Sequence, residues 1–193
     1  VFSAGENGFS IITGGPGTGK TTTINTIIRI LQQEEQEVVL AAPTGRAAKR
    51  MTEATGVEAQ TIHRLLGVNF MGEDNRRQTF DKNEDDPIEA DVIIVDESSM
   101  VDISLMQAFL RAVETGSRVI FVGDVDQLPS VGAGNVLKDM IQSEVITVKK
   151  LTKIYRQAAM SDIVVGAHMI NQGQYPVFNQ KDTDLCTARN STA

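Results

Sequence analysis

The sequence has 193 residues, which is enough for one domain with a hydrophobic core and a small insertion. Hydrophobic residues make up 41% of it, charged residues make up 22%, and no apolar run approaches the ~20 residues of a membrane-spanning helix, so we expect no membrane partner. The net charge of −7 argues against a general nucleic-acid binder, and the single cysteine, Cys186, excludes an internal disulfide and predicts a reducing, cytoplasmic location.

Short β-branched runs alternate with helical patterns along most of the chain. Strands that are continuously apolar are usually covered on both faces, as they are in parallel sheets. The pattern therefore predicts an α/β fold, in which a mainly parallel sheet has helices on both faces. The predicted strands are Phe9 to Thr13, Val38 to Ala42, Val92 to Val95, Val119 to Val122 and Val145 to Val148. The predicted helices are roughly Lys20 to Gln33, Gly45 to Thr55, Ile103 to Glu114 and Gly134 to Ser143.

A glycine-rich segment joins the first predicted strand to the first predicted helix. Its residues, Gly14-Gly15-Pro16-Gly17-Thr18-Gly19-Lys20-Thr21, match the P-loop pattern G-x-x-x-x-G-K-[ST]. Glycines let successive backbone N–H groups point inward at phosphate oxygens, and the positive end of the helix dipole adds to the attraction. We expect Gly15 to Thr22 to hold the phosphates of ATP, with Lys20 at the β- and γ-phosphates and the Thr21 hydroxyl on Mg²⁺.

The second predicted strand is followed by Pro43, by Thr44 and then by a helix with a basic start. Arg46, Lys49 and Arg50 lie in the first turns of this helix, where guanidinium groups and N-terminal amides can hold the phosphates of a nucleic-acid backbone. The alternative is a basic helix face that is simply solvated.

Residues 68–89 interrupt the alternation of strands and helices. Val68 to Met71 and Gln78 to Phe80 predict two short arms around a polar turn, which is the pattern of a β-hairpin insertion. A mobile charged loop is the alternative. Phe70 and Phe80 are candidates for stacking on nucleic-acid bases, although either ring can also pack a small core of the hairpin itself.

Two adjacent acidic residues follow the apolar strand Val92 to Val95. Asp96 and Glu97 are expected at the C-terminal end of a buried strand, where α/β sheets place their ligands. Asp96 is the expected Mg²⁺ partner of Thr21, and Glu97 is placed to orient and deprotonate an attacking water. A small-molecule kinase has no need of a water-activating glutamate, so the acidic pair favours a hydrolase.

Four further segments resemble motifs of superfamily 1 helicases, in that superfamily's order. They are Ala42-Pro43-Thr44-Gly45-Arg46-Ala47-Ala48-Lys49-Arg50, Thr61-Ile62-His63-Arg64-Leu65-Leu66-Gly67, Gly123-Asp124-Val125-Asp126-Gln127-Leu128-Pro129-Ser130-Val131, and Leu151 to Gln157. Together with Gly132 to Leu137 they most resemble the RecD-type helicases, the family of the exodeoxyribonuclease V alpha chain and its stand-alone relatives. The resemblance runs from about Gly8 to Pro176.

This resemblance implies a RecA-like P-loop domain, the first motor domain of a 5′-to-3′ DNA helicase. Residues 1–67 and 90–176 would form the motor domain, and residues 68–89 would form a hairpin that separates DNA strands. In the family's pattern Gln127 senses the γ-phosphate and couples it to DNA, and Arg156 contacts the γ-phosphate. The residues implied to lie on the track for single-stranded DNA are Pro43, Thr44, Arg46 and His63.

The resemblance also implies parts that are not recognisable in these 193 residues. The family has a segment upstream of the P-loop that recognises adenine, and a second RecA-like domain with an arginine finger. We expect the sequence to be a fragment of a longer helicase, in which residues 177–193 lead toward the second domain. The expected partners are that domain, single-stranded DNA and duplex junctions, with nuclease or helicase subunits of a recombination complex left open.

Other functions are left open by the residues. A P-loop kinase or general NTPase would leave Gln127, Arg156 and the motif at Pro43 without explanation. A nucleotide-gated interaction module for a nuclease partner would have no need of an intact Lys20 and acidic pair. The helicase region of a conjugative relaxase shares the motifs. His168 matches none of them, and we expect it to be structural.

Overall fold

The computed structural model describes residues 8–70, 78–153 and 162–175. The strands are β1 (Phe9–Gly14), β2 (Val38–Ala42), β3 (Ala59–Thr61), β4 (Val68–Phe70), β5 (Gln78–Phe80), β6 (Val92–Val95), β7 (Arg118–Gly123) and β8 (Thr147–Leu151). The helices are α1 (Lys20–Gln33), α2 (Gly45–Thr55), α3 (Ile62–Leu65), α4 (Ile103–Ala112), α5 (Val136–Gln142) and α6 (Asp162–Asn171), with a 3₁₀ turn at Ser98–Met100. In this part of the chain no helix has the length and apolar character needed to cross a membrane.

One six-stranded parallel sheet organises the domain, with the strand order β3-β2-β6-β7-β1-β8. In this order β7 lies between β1 and β6. Thr13 is paired with Gly123, and Val95 is paired with Phe121, so the carboxyl ends of these three strands meet at one edge. The predicted parallel sheet is confirmed, and ligands of such sheets bind outside the carboxyl ends of the strands.

Helices cover both faces of the sheet, as the apolar strands predict. Ile24 of α1 and Met51 of α2 pack on one face, and Phe109 of α4 and Leu137 of α5 pack on the other. Successive residues of β6 point to opposite faces and are buried on both. Because burial of each large apolar side chain contributes about 1.5–3 kcal/mol, these two layers hold the strand ends in fixed positions.

Three helices begin with a side chain that accepts a hydrogen bond from the first turn. Thr44 accepts from the amide of Ala47 at 3.2 Å, Thr61 caps α3 in the same way, and Asp102 caps α4. Helix α1 differs, because Gly19 precedes it in a left-handed conformation and has no side chain to cap it. Its first amides are therefore left for another acceptor.

The bounds of α1, α2, β2 and β6 are those predicted, but α4 is shorter than predicted. The helix ends at Ala112 and not at Glu114. Val113 leaves the helix to form a bridge with Ile88, whose amide donates to the carbonyl of Ala112 at 2.7 Å. This long-range pairing competes with the helical pattern and ends it.

Two other elements begin later than predicted. Helix α5 begins at Val136 because Gly134 has a φ of +97°, which a right-handed helix cannot include. Strand β8 begins at Thr147 and pairs with β1, whereas Val145, the predicted start, is 85% exposed. The register of pairing with β1 decides where this strand lies.

The predicted hairpin insertion is confirmed as a separate two-stranded antiparallel sheet, in which Val68 is opposite Phe80. Residues 71–77, which join its strands, lie outside the described residues. The short elements β3 and α3 were not predicted, since runs of three or four residues carry no readable period. The division of the chain into a motor domain and an insertion stays a prediction.

Candidate functional site

The loop between β1 and α1 follows the conformation that its glycines allow. Gly17 and Gly19 have φ values of +74° and +85°, in the left-handed region that favours glycine. A Cβ added to Gly14 would lie 2.6 Å from Oγ1 of Thr18 and 2.8 Å from the carbonyl oxygen of Leu151. Only glycine therefore fits where the loop leaves the sheet beside β8.

The polar side chains of Thr18 and Lys20 form hydrogen bonds with backbone carbonyl groups of this loop. The buried hydroxyl of Thr18 donates to the carbonyl of Gly15 at 2.8 Å. Nζ of Lys20 donates to the carbonyls of Gly14 and Gly15, the latter at 3.1 Å. An ammonium group and the uncapped amides of α1 are thus brought to one place, and this combination binds anions.

The acidic pair follows β6 at the same edge of the sheet. The amide of Asp96 donates to the carbonyl of Ala41, and Oδ1 of Asp96 accepts from the amide of Glu97, both at 2.9 Å. Glu97 has φ 53° and ψ 38°, a left-handed conformation for a residue that has a side chain. Such a conformation costs about 1–3 kcal/mol and is concentrated at functional sites.

Both carboxyl groups lie in surroundings that disfavour their charge. Burial raises the pKa of Asp96, although the amide of Glu97 and the charges of Lys20 and Arg50 oppose the rise. Burial also raises the pKa of Glu97, and the neighbouring charge of Asp96 raises it further. A cation placed between the carboxylates and a phosphate would favour the ionised forms of both.

The residues fit a magnesium ion held jointly with a nucleotide. The Thr21 hydroxyl is exposed at the start of α1, and it lines the same cavity as the carboxyl group of Asp96. The described residues contain no group of three or more His, Cys, Asp or Glu that could hold a metal by itself. Thr21 and Asp96 would therefore hold Mg²⁺ together with phosphate oxygens and water, which is how this ion is usually bound.

The end of β7 places a third strand's residues between the P-loop and the acidic pair. Asp124 is 2% exposed, and its carboxylate accepts from the amide of Asp126 at 3.1 Å. Its carbonyl accepts from the amide of Gln127 at 3.2 Å, which closes a turn directly after the strand. The side chain of Gln127 is exposed and lines the cavity described next.

One cavity of about 780 Å³ joins these groups, and its size is typical of small-molecule sites. Its wall contains every predicted phosphate-binding position from Gly15 to Thr22, together with Asp96, Glu97 and Gln127. The structure thus brings together the predicted catalytic residues that it describes. One face of α2 completes the wall, through Ala47, Arg50, Met51, Ala54 and Thr55.

That face of α2 is not predicted from the sequence, which indicates Arg50 only as a possible contact for DNA phosphates. Its residues have the spacing i, i+3, i+4, i+7 and i+8, which marks one side of a helix. The spacing was visible in the sequence. What the sequence did not show was that this side of α2 faces α1, where Nδ2 of Asn25 donates to the carbonyl of Ala54 at 2.9 Å.

The residues predicted for the DNA track are not part of the cavity wall. Pro43 and Thr44 form the junction of β2 and α2, and Arg46 is exposed in the first turn of α2. His63 is partly buried, and its ring centroid is 6.2 Å from that of Phe80 in the hairpin. A contact of these residues with DNA stays a prediction.

Several predicted residues cannot be placed. Arg156, Cys186 and residues 177–193 lie outside the described part of the chain, as do the side chains of Phe70 and His168. The roles predicted for them stay predictions.

The chain is similar to known proteins both in sequence and in structure. Residues 1–133 match a family described as an AAA domain. The ATP-dependent RecD2 DNA helicase of Deinococcus radiodurans is 43% identical over 91% of this chain and 23% of its own length. The RecBCD enzyme subunit RecD of Mycolicibacterium smegmatis is 39% identical over 71% of this chain and 28% of its own length. The chain thus spans about a quarter of the length of these relatives.

A solved structure of the Pif1 helicase from Candida albicans shares the fold. The TM-score is 0.62 at 24% sequence identity, and the match covers 88% of this chain and 42% of that chain. At this level of identity the likeness supports the RecA-like architecture and leaves the chemistry to the site itself.

Proposed function

The chain belongs to the AAA domain family and, within it, to the RecD-like helicases of superfamily 1, and from this premise we propose that it is the ATP-binding motor domain of a DNA helicase. One observation carries the proposal: Lys20, Asp96, Glu97 and Gln127, which follow the carboxyl ends of three adjacent strands, line a single cavity. A domain that only binds another protein would have no use for this set of residues.

The loop and helix α1 would bind the triphosphate. Backbone amides of residues 15–19 and the first amides of α1 would donate to phosphate oxygens, and the ammonium of Lys20 would exchange its carbonyl partners for them. Thr21 and Asp96 would hold Mg²⁺, which supplies charge neutralisation when it is bound. ATP and Mg²⁺ are thus the ligands that we propose for this site.

Glu97 and Gln127 would act on the attacking water. The raised pKa of Glu97 makes its carboxylate a better proton acceptor than an ordinary glutamate. Gln127 is neutral, so its amide can hydrogen-bond to water or phosphate without changing the charge of the site. Because Gln127 lies in the loop that follows β7 and also lines the cavity, a change in the bound nucleotide could be passed through Gln127 to that loop.

DNA would bind on the side of the domain that carries the junction of β2 and α2. We assign Pro43, Thr44, Arg46 and His63 to a single-stranded DNA track, and the hairpin to strand separation, with 5′-to-3′ movement. Support comes from the relative's description as an ATP-dependent DNA helicase and from the exposure of Arg46 in the first turn of α2. A second RecA-like domain would close on the cavity and move the protein along DNA.

Subunits of a recombination nuclease are a second class of proposed partner. Relatives from several bacteria are described as the RecD subunit of the RecBCD enzyme, which motivates this proposal. A nucleotide-gated interaction module is the competing function. Hydrolysis of ATP that is stimulated by single-stranded DNA is expected for the motor and not for the module.

Substitution of Lys20 tests the nucleotide site directly in the full-length protein that carries this domain. We expect Lys20→Ala to weaken binding of Mg·AMP-PNP by about 10- to 100-fold, the value of a hydrogen bond between charged groups, and to abolish DNA-stimulated hydrolysis. Lys138→Ala is the matched control, because it removes the same charge from an exposed position outside both the cavity and the basic segment of α2. Equal affinities for Lys20→Ala and the unmodified protein would count against the site.

A further inference from the structure

Helix α2 contributes a charged residue to the nucleotide cavity, and the proposed function does not yet use it. Of the five α2 residues that line the cavity, Arg50 alone is charged. It lies in the second turn of the helix, whereas Arg46 and Lys49, which belong to the same basic segment, are not part of the cavity wall. The basic segment is therefore divided between two surfaces of the helix.

Arg50 lines the same cavity as the acidic pair, Asp96 and Glu97. Its charge acts on both Asp96 and Glu97 and opposes the rise of their pKa values. The salt bridges among the described residues join other side chains, so Arg50 has no such partner within that part of the chain. A guanidinium group beside two carboxylates, but not bridged to them, is available to an anionic ligand.

The charge of the cavity shows what Arg50 would contribute. The charged residues of the described cavity wall are two cations, Lys20 and Arg50, and two anions, Asp96 and Glu97. Without Arg50 the wall would carry a net negative charge toward a ligand that is itself negative. Lys20 is held by the loop carbonyls beside β1, whereas Arg50 approaches from α2, so the two cations reach the ligand from different elements.

We propose that Arg50 contacts the terminal phosphate of the nucleotide and thereby distinguishes triphosphate from diphosphate, as a cation supplied by the same domain that carries the P-loop. This inference rests on the proposed function, because it assumes that the cavity binds a nucleotide. The location at the terminal phosphate is inferred because Arg50 lines the same cavity as Glu97, the residue assigned to the attacking water. Arginine suits the role because its planar fork can make two hydrogen bonds to one phosphate.

The test compares two nucleotides in the full-length protein. Dissociation constants are measured for Mg·AMP-PNP and Mg·ADP with the unmodified protein, Arg50→Ala, Arg50→Lys and the control Lys49→Ala. We expect Arg50→Ala to weaken Mg·AMP-PNP by about 10-fold or more and Mg·ADP by less than about 2-fold, since the lost contact is to the terminal phosphate. Arg50→Lys keeps the charge without the fork and should recover part of the affinity. Lys49→Ala should change neither value.

Other outcomes overturn the inference in distinguishable ways. Equal loss for both nucleotides would place Arg50 elsewhere on the ligand, and no loss for either would remove it from the site. A loss of affinity for single-stranded DNA measured without nucleotide, while both nucleotide affinities are kept, would return Arg50 to the DNA track. If the unmodified protein and Lys20→Ala both fail to bind either nucleotide, the proposed function fails together with this inference. Because Arg50 is exposed, its substitution is not expected to prevent folding.

Discussion

Glu97 combines an unusual backbone conformation with a carboxyl group whose charge is disfavoured. Its backbone is left-handed, its carboxyl is partly buried, and its charge is disfavoured both by burial and by Asp96. An asparagine or glycine would tolerate the backbone better. A glutamate kept in this conformation, on the wall of the cavity, is what a positioned proton acceptor requires.

Replacement of Glu97 by glutamine separates binding from hydrolysis. Glu97→Gln keeps the size of the side chain but removes its basicity, so we expect the hydrolysis rate to fall by about 10²- to 10⁴-fold. Affinity for Mg·AMP-PNP should be kept or increased, because a negative charge near the phosphates is lost. Single-turnover hydrolysis and nucleotide titration measure the two effects. Glu53→Gln, an exposed acid on α2, is the control, and a rate within a few-fold of it would remove Glu97 from the mechanism.

Asp96 gives a pH dependence whose sign is set by burial. Its pKa is raised in the folded protein, so between the ordinary value of about 3.9 and the raised value the folded state binds more protons than the unfolded state. Stability conferred by the protonated group is thus lost as pH rises through this window. We expect Asp96→Asn, measured without Mg²⁺ or nucleotide, to be more stable than the unmodified protein above the window and to lose that advantage below it.

Urea denaturation at a series of pH values measures this difference, and Mg·ADP provides a second arm. Addition of Mg·ADP at neutral pH should stabilise the unmodified protein more than Asp96→Asn, because the variant lacks the carboxylate that holds the ion. Glu53→Gln should follow the unmodified protein throughout. If the difference in stability between Asp96→Asn and the unmodified protein does not change with pH, burial of the charged Asp96 carboxylate is not the cause of that difference.

At the scale of single residues the sequence was informative where a residue type is demanded by local geometry. The glycines around Lys20 and the acids after β6 were identified because few other residues can serve in those places. Arg50 was not assigned to the nucleotide, since its role depends on which side of α2 faces α1. That choice is made by packing between helices, which a local pattern does not contain.

The elements were predicted best where burial and period agree over many residues. The bounds of α1 and α2 match for different reasons. Helix α1 has an apolar stripe that packs on one face of the sheet, whereas α2 is bounded by the cap Thr44 and by Gly56, which has a φ of +74°. Helix α4 was predicted too long because Val113 pairs with Ile88, far away in sequence. Strand β8 was misplaced because its partner β1, and not its own composition, sets its start.

The start of α4 holds the loop that carries Gln127. The amide of Ile103 donates to the carbonyl of Ala133 at 3.0 Å, and a Cβ on Gly132 would lie 2.7 Å from Cβ of Asp102. Asp102 also caps the helix, through the amide of Leu105 at 2.8 Å. Since α4 follows the acidic pair, this close contact joins the segment after Glu97 to the loop after β7.

Gly132→Ala should therefore disturb coupling more than nucleotide binding. The added methyl would push the loop away from the α4 start, at a cost in stability of about 1–3 kcal/mol. We expect DNA-stimulated hydrolysis to fall by about 10-fold or more, because a displacement of even 1 Å can reduce a rate by about 10²-fold. Affinity for Mg·AMP-PNP should stay within about 3-fold if one contact of ordinary strength is disturbed.

Gly8→Ala is the control for that substitution, because a Cβ at position 8 meets no heavy atom within 4 Å. Thermal denaturation of both variants separates a local shift from general unfolding. If Gly132→Ala hydrolyses ATP as fast as Gly8→Ala in the presence of DNA, the close contact with Asp102 has no part in coupling.

At the scale of the whole molecule, strand order is what assembles the site. Placement of β7 between β1 and β6 brings Gln127 between the P-loop and the acidic pair, although these segments are far apart in the chain. The alternation of strands and helices predicted a parallel sheet but left several orders open. The motif order made the helicase resemblance specific, whereas the order of strands in space required the structure.

The motor function proposed for this domain would need a second domain, and this gives the last prediction. Gln127 is exposed and lines the cavity, and the only cations among the described residues of the cavity wall are Lys20 and Arg50. An arginine contributed from outside a P-loop domain raises hydrolysis by about 10³- to 10⁵-fold in comparable NTPases.

We therefore expect residues 1–193 alone to bind Mg·AMP-PNP weakly, to hydrolyse ATP at least about 10³-fold more slowly than the full-length protein, and to unwind no DNA. Steady-state hydrolysis with single-stranded DNA and a strand-displacement assay measure both forms side by side. Unwinding by the short form would show that this domain holds a complete motor and that closure of a second domain is not required.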